Sequence, residues 1–322
     1  MNFEQFAEAV KMKLGEFFDD GTEITINSVR KNNGIVLTGV IIMEKDSHIA
    51  PTIYLESFFE EYEKGSPFGE LVHELVRVYE KNKIVSCVEL DNFYDYQSVK
   101  KKIYYKLINA EKNEELLKDV PHIPYLDLAI VFYCDCSSEQ LGSAAVLIKN
   151  SHLNMWGIGT EKLYQDAVVN TPQNNPFEIK PMETVMKELF ASDIRKEMEK
   201  HHISFSEKWI EEMAEQMLLT EMSVEDRTPM YVLTNEEKLH GAACILYQQL
   251  LEEFAKKVND NLYILPSSVH EIIMIPAALA GKVSELKEMV EEINATQVEA
   301  EEVLSDSVYF FDRVSKKLEM VM

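Results

Sequence analysis

The chain has 322 residues, 46% of them hydrophobic, with only 11 Gly and 10 Pro, so there is apolar material for one large core or two modest ones and no linker-like tract. Fifty-six acids against 32 bases give a net charge of −24, which argues against direct nucleic-acid binding, because a phosphate backbone calls for a basic patch. The longest apolar runs, 34–43 and 126–134, fall far short of the ~20 residues a membrane-spanning helix needs, and the first residues lack a signal-peptide pattern, so a cytoplasmic location without membrane contact is expected.

Along the chain, residues 2–18 place Phe3, Phe6, Val10, Leu14 and Phe17 three and four apart, the period of an amphipathic helix. Residues 22–29 and 35–43 then read as a hairpin, with Lys31, Asn32, Asn33 and Gly34 supplying turn chemistry. A strand at 52–55 and a helix at 57–64 follow. A second helix begins at Pro67 behind Ser66, with Leu71, Leu75, Val78 and Tyr79 as its buried stripe. Residues 96–117 read as one more helix, with Val99, Ile103, Leu107 and Ile108 inward. Pro121 and Pro124 then interrupt the chain, since prolines cannot continue a helix. The expected organisation is therefore an N-terminal α+β lobe at 1–118 and a C-terminal α+β lobe at 119–322.

In the second lobe, 126–134 and 143–149 are apolar enough to be central strands, and 160–170 is helical. Residues 182–222 read as a helical insertion carrying Phe190, Ile194, Trp209, Ile210 and Met213 on core-facing stripes. Strands are expected at 230–233, 262–265, 271–275 and 308–311, with helices at 239–258 and 284–293. The fold class is α+β, with mixed sheets flanked by helices.

Few residues stand at the spacings of known chemistry. Cys87, Cys134, Cys136 and Cys244 fit a reducing compartment, and the Cys134/Cys136 pair lacks a second ligand pair for zinc, so no metal site is expected. His73-Glu74 begins like a zinc-protease helix, but Arg77 stands where the second histidine belongs. His201 and His202 lie about 100° apart on a helix and do not converge on one metal. No phosphate loop, dinucleotide fingerprint or nucleophile elbow is present, and no cofactor is assigned.

Several strings carry a resemblance: Pro51-Thr52-Ile53-Tyr54-Leu55, Asp119-Val120-Pro121-His122-Ile123-Pro124-Tyr125-Leu126-Asp127, Asn150-Ser151-His152-Leu153, Leu265-Pro266-Ser267-Ser268-Val269-His270-Glu271, and Leu304-Ser305-Asp306-Ser307-Val308-Tyr309. With these the chain resembles, essentially end to end, a bacterial domain-of-unknown-function family, number 5688. The C-terminal half is more distantly similar to a second such family, number 1444, through a strand, an Ala-containing helix and a strand ending in a Pro-polar-polar loop. Neither resemblance brings an assigned catalytic residue.

The best local candidate for chemistry is Ser267, Ser268, His270 and Glu271, with a hydroxyl, an imidazole and a carboxylate within five residues. On an extended strand His270 and Glu271 point to opposite faces, so these neighbours do not form a triad. An active cleft would have to be assembled from distant segments, by adding His122, Asp127, His152 and Asn235 at the end of a shared sheet. Three readings follow. The first is a binding or interaction module whose partner is another protein. The second is a hydrolase or nucleotide-acting enzyme using that cleft. The third is an acidic decoy in which the eight carboxylates of 285–306 imitate a phosphate row.

Overall fold

A computed structural model describes residues 1–19, 21–45, 50–83, 92–137, 144–201, 203–221 and 229–321. Cys87, Gly142, Ser143 and His202 lie outside the described residues. Helix α1 (Phe3–Leu14) starts at a reciprocal cap: the Asn2 side chain accepts from the Gln5 N–H (2.9 Å), and the Gln5 side chain accepts from the Asn2 N–H (3.2 Å). Strands β1 (Glu23–Arg30) and β2 (Val36–Met43) form the expected hairpin, with Glu23 opposite Met43 and Arg30 opposite Val36. Its turn holds Asn33 and Gly34 at φ 58° and 70°, left-handed values that these two residue types tolerate. Strand β3 (Thr52–Tyr54) adds to β2, followed by α2 (Glu56–Glu63) and α3 (Phe68–Asn82). Phe6, Val10 and Leu14 of α1 pack with Val40 and Ile42 of β2 and with Val72, Leu75 and Tyr79 of α3.

The single helix expected at 96–117 is not there. The chain forms α4 (Tyr96–Val99), a 3-10 turn at Lys100–Lys102, strand β4 (Ile103–Asn109) and α5 (Glu114–Leu117). Every residue of β4 except Lys106 is buried. A strand covered on both faces shows no polar alternation, and its apolar residues then fall by chance at helical spacing. Strands β5 (His122–Tyr125), β6 (Leu128–Asp135) and β7 (Ala145–Leu147) complete a sheet of order β4-β6-β5 with β7 also paired to β6.

Next come α6 (Asn150–Trp156), which the sequence pattern did not suggest, and α7 (Thr160–Asn174). Strand β8 (Phe177–Pro181) leads into the helical hairpin α8 (Met182–Lys200) and α9 (Glu207–Glu221), which has a small core of its own around Ala191, Ile210 and Ala214. After β9 (Tyr231–Asn235), the helix expected at 239–258 is split into a 3-10 stretch, Gly241–Leu246, and α10 (Leu250–Val258). The break runs from Tyr247, which is extended at ψ 131°, to Gln249, whose φ of 62° is incompatible with a right-handed helix. Strands β10 (Leu262–Leu265) and β11 (Ile272–Pro276), helix α11 (Val283–Thr296), and strands β12 (Tyr309–Asp312) and β13 (Lys317–Met320) close the chain.

These last strands form a six-stranded antiparallel sheet of order β13-β12-β10-β11-β9-β8. Leu286 and Val290 of α11 pack on Leu265, Ile273 and Ile275 on one face. All five residues of β11 are buried, and Phe254 of α10 meets Tyr231 of β9 on the other face. The described residues divide into two compact units. One holds 1–104, 112–121 and 132–167, and the other 105–111, 122–131 and 168–322. The chain changes unit five times, within β4, after Glu111, ahead of His122, within β6 and within α7.

Candidate functional site

Three segments of the second unit meet beyond one end of the six-stranded sheet: the turn after β9, the β10–β11 connection, and the stretch leading into β12. Backbone bonds zip the last two together, with Val269 N–H on Glu302 O (2.9 Å), Leu304 N–H on Ser267 O (2.8 Å) and Ser305 N–H on Pro266 O (2.9 Å). Ser267 therefore sits buried at the joint and Ser268 forms an isolated bridge with Val303. The turn after β9 is closed by Asn235, whose amide donates to Leu239 O (2.8 Å) and accepts from Leu239 N–H (3.1 Å). Gly241 then passes so close that a Cβ there would lie 2.2 Å from Thr234 Oγ1 and 2.5 Å from His270 O. Only glycine fits.

His270 is the centre of this neighbourhood. Its Nδ1 lies 3.2 Å from the His240 backbone nitrogen and its Nε2 3.2 Å from Glu302 Oε1. A backbone N–H can only donate, so Nδ1 accepts, and the ring proton is assigned to Nε2, facing the carboxylate. The Ser268 hydroxyl accepts from the His270 N–H (3.1 Å), and Thr234 Oγ1 donates to the His270 carbonyl (2.8 Å). The His240 ring stacks on His270, 5.8 Å between centroids and 9° between planes. Burial, with Lys106 and His270 adding to it, pushes the His240 imidazole down to about 3. Glu271 keeps an exposed surface, yet desolvation by the surrounding protein still holds its carboxyl above the ordinary range.

Asp127 organises a second neighbourhood at the tight β5–β6 turn, where Leu126 takes φ 54° and Tyr125 pairs with Leu128. Its Oδ2 accepts from Ser305 Oγ (2.5 Å) and Ser307 Oγ (2.9 Å), and its Oδ1 accepts from the Tyr309 hydroxyl. Ser305 and Tyr309 have no solvent exposure. Burial first, and then the Asp127 charge, raise the Tyr309 hydroxyl far above its ordinary pKa. Asn109 holds the Leu304 carbonyl (2.9 Å), and Asn294 holds both the Ser305 carbonyl (3.0 Å) and Asp306 Oδ1 (2.7 Å).

The candidate residues thus fall into separate places. Asn235, Ser267, Ser268, His270 and Glu271 lie along one run of loops, and Asp127 is tied into it through Ser305. His122 opens β5 opposite Val131. His152 belongs to the first unit, where Nδ1 takes the Lys149 N–H (3.1 Å) and the ring meets Phe93 edge-on at 5.0 Å; burial lowers its pKa. His240, Glu302, Ser305, Ser307 and Tyr309 are participants that the sequence reading missed. Four of them lie in or beside the Ser-Asp-Ser-Val-Tyr string that carries the family resemblance, while His240 was absorbed into the helix expected at 239–258.

The other motifs take structural roles. Arg77 bonds Glu74 (2.9 Å) on α3, and His73 meets the Phe17 ring edge-on. The hydrogen bond with Cys136, and then burial, hold the Cys134 thiol far above its ordinary pKa, the condition of an unreactive thiol. Among the described residues, no group of three or more His, Cys, Asp or Glu is placed to hold a metal ion.

Fold and site together define an α+β protein with two linked polar neighbourhoods beyond one end of an antiparallel sheet. The chain belongs to a family of unknown function, DUF5688, whose model matches residues 3–313. No curated protein and no solved structure matches it.

Proposed function

We propose that the chain works by binding, as an interaction module whose partner is another protein, and carries out no chemistry of its own. The observation behind this reading is the direction of the His270 bonds. A general base needs a lone pair aimed at substrate, whereas His270 engages both ring nitrogens inside the chain, one on the His240 N–H and one on Glu302. Asn235, Ser268 and Asp127 are likewise turned onto their own chain.

The decoy reading has less support. Of the eight carboxylates at 285–306, Glu285 caps Lys282, Glu291 pairs with Lys287, Glu302 meets His270 and Asp306 holds Asn294, which breaks up the row. Excess negative charge also disfavours nucleic acid and anionic membranes as partners.

The test compares wild type with His270→Ala and His122→Ala in thermal melts and in a panel of chromogenic ester, phosphate and peptide substrates. The expected result is a lowered melting temperature for His270→Ala and no turnover that depends on either side chain. Wild-type turnover that disappears in either variant at an unchanged melting temperature sinks the reading.

A further inference from the structure

At the opposite end of the six-stranded sheet from His270, where β9 begins and β11 and α10 end, the second unit has an open cleft of about 530 Å³. That size falls within the roughly 300–1,000 Å³ of small-ligand sites. Its apolar wall is aromatic: the rings of Tyr231 and Phe254 meet edge-to-face with centroids 5.0 Å apart, flanked by Pro276 and Leu279. Its polar rim carries one ammonium, Lys257, and one carboxylate, Asp260. Both carboxylate oxygens of Asp260 are taken by backbone, Oδ1 by the Asn261 N–H (2.8 Å) and Oδ2 by the Ala278 N–H (2.7 Å). Asn259 Oδ1 accepts from the Arg313 guanidinium (2.6 Å). Lys257 is the one cation lining the cleft, and among the described residues no carboxylate lies within ion-pair distance of it.

We propose that this cleft binds a small aromatic carboxylate, with the ring against Tyr231 and Phe254 and the carboxylate on the Lys257 ammonium. An aromatic face calls for a flat apolar body, and a single lysine matches a single negative charge. A phosphate dianion calls for a bidentate arginine or several donors, and in a chain of net charge −24 it meets more repulsion. The proposal rests on reading the chain as a binding protein and adds a small-molecule ligand to that reading.

The experiment titrates the full chain with indole-3-acetate as probe, by calorimetry and saturation-transfer NMR, with indole and tryptamine as controls. A probe of this size is expected to bind with a dissociation constant on the order of 1 mM. Lys257→Gln should weaken it about tenfold, the effect of losing one charge-assisted hydrogen bond, with the melting temperature unchanged. Added salt should weaken it too, and both controls should bind at least about tenfold more weakly. Absence of saturable binding, equal affinity for indole, or an unchanged affinity in Lys257→Gln overturns the proposal. Conversion of the probe during titration would instead count against the binding-only reading of the chain and leave the cleft standing, so the two failures are distinct.

Discussion

Removing the Asp127 carboxylate tests whether the second polar neighbourhood is a structural lock. Three hydroxyls, those of Ser305, Ser307 and Tyr309, converge on this one group. A hydrogen bond to a charged acceptor is worth ~1.5–3 kcal/mol, but bonds sharing one acceptor do not add. The dominant cost comes from Ser305 and Tyr309, which have no solvent exposure and lose their acceptor where water cannot replace it. At ~1–3 kcal/mol for each stranded donor, Asp127→Ala should destabilise the second unit by ~3–5 kcal/mol. Asp127→Asn keeps one acceptor oxygen and should cost ~1–2 kcal/mol, as should Tyr309→Phe. Because the two share a bond, the double variant should cost less than the sum of the singles. Scanning calorimetry and guanidinium unfolding measure the costs. A loss below ~1 kcal/mol for Asp127→Ala, or strict additivity in the double variant, refutes the lock.

Two further outcomes follow from the His270 neighbourhood. His240 has its pKa pushed down from 6.5 to about 3, so between those values the unfolded chain binds a proton that the folded chain refuses. Stability therefore rises with pH across that window and is lost as pH falls through it, by up to ~1.4 kcal/mol per pH unit. His240→Asn, which suits the left-handed φ of 55°, should flatten that limb in urea titrations at stepped pH; an unchanged limb counts against a buried neutral imidazole. Gly241→Ala forces a Cβ to within 2.2 Å of Thr234 Oγ1 and 2.7 Å of the Asn235 nitrogen. It should cost ~3 kcal/mol by overpacking, and a wild-type melting curve would contradict the packing.

How much was legible in the sequence depended on how each segment meets solvent. The helix at α1 and the β1–β2 hairpin were readable because one side faces the core and the other water, which writes the period into the residues. Strand β4 was unreadable for the opposite reason, since Ile103, Tyr104, Tyr105, Leu107 and Ile108 are all buried and no polar face marks the pleat. The candidate site divided along similar lines. Ser268, His270 and Asp127 were visible as polar residues at the ends of apolar strands. Glu302 and Tyr309 become their partners only through pairings spanning 32 and 182 residues, and one sequence carries no local signal for such a pairing. The adjacent residue Glu271 drew attention by proximity to His270, yet the carboxylate that meets the imidazole comes from the far side of α11.

The two neighbourhoods share one element, and that sharing has a measurable consequence. Glu302, which meets His270, and Ser305, which meets Asp127, are three residues apart on a stretch zipped to 266–269 by the bonds at Val269, Leu304 and Ser305. A segment held at both ends opens as a unit if the zip is cooperative. Asp127→Ala should then speed amide hydrogen exchange at Val269 and Leu304 as well as at Ser307, although the substituted side chain touches neither of the first two. His270→Ala, which removes the Glu302 contact at the other end, should likewise speed exchange at the Ser307 amide. If Asp127→Ala accelerates Ser307 alone and leaves Val269 and Leu304 at wild-type rates, the neighbourhoods are independent and the stretch is only a tether between them. Acceleration at all three amides makes residues 302–309 the single brace on which the polar end of the sheet depends.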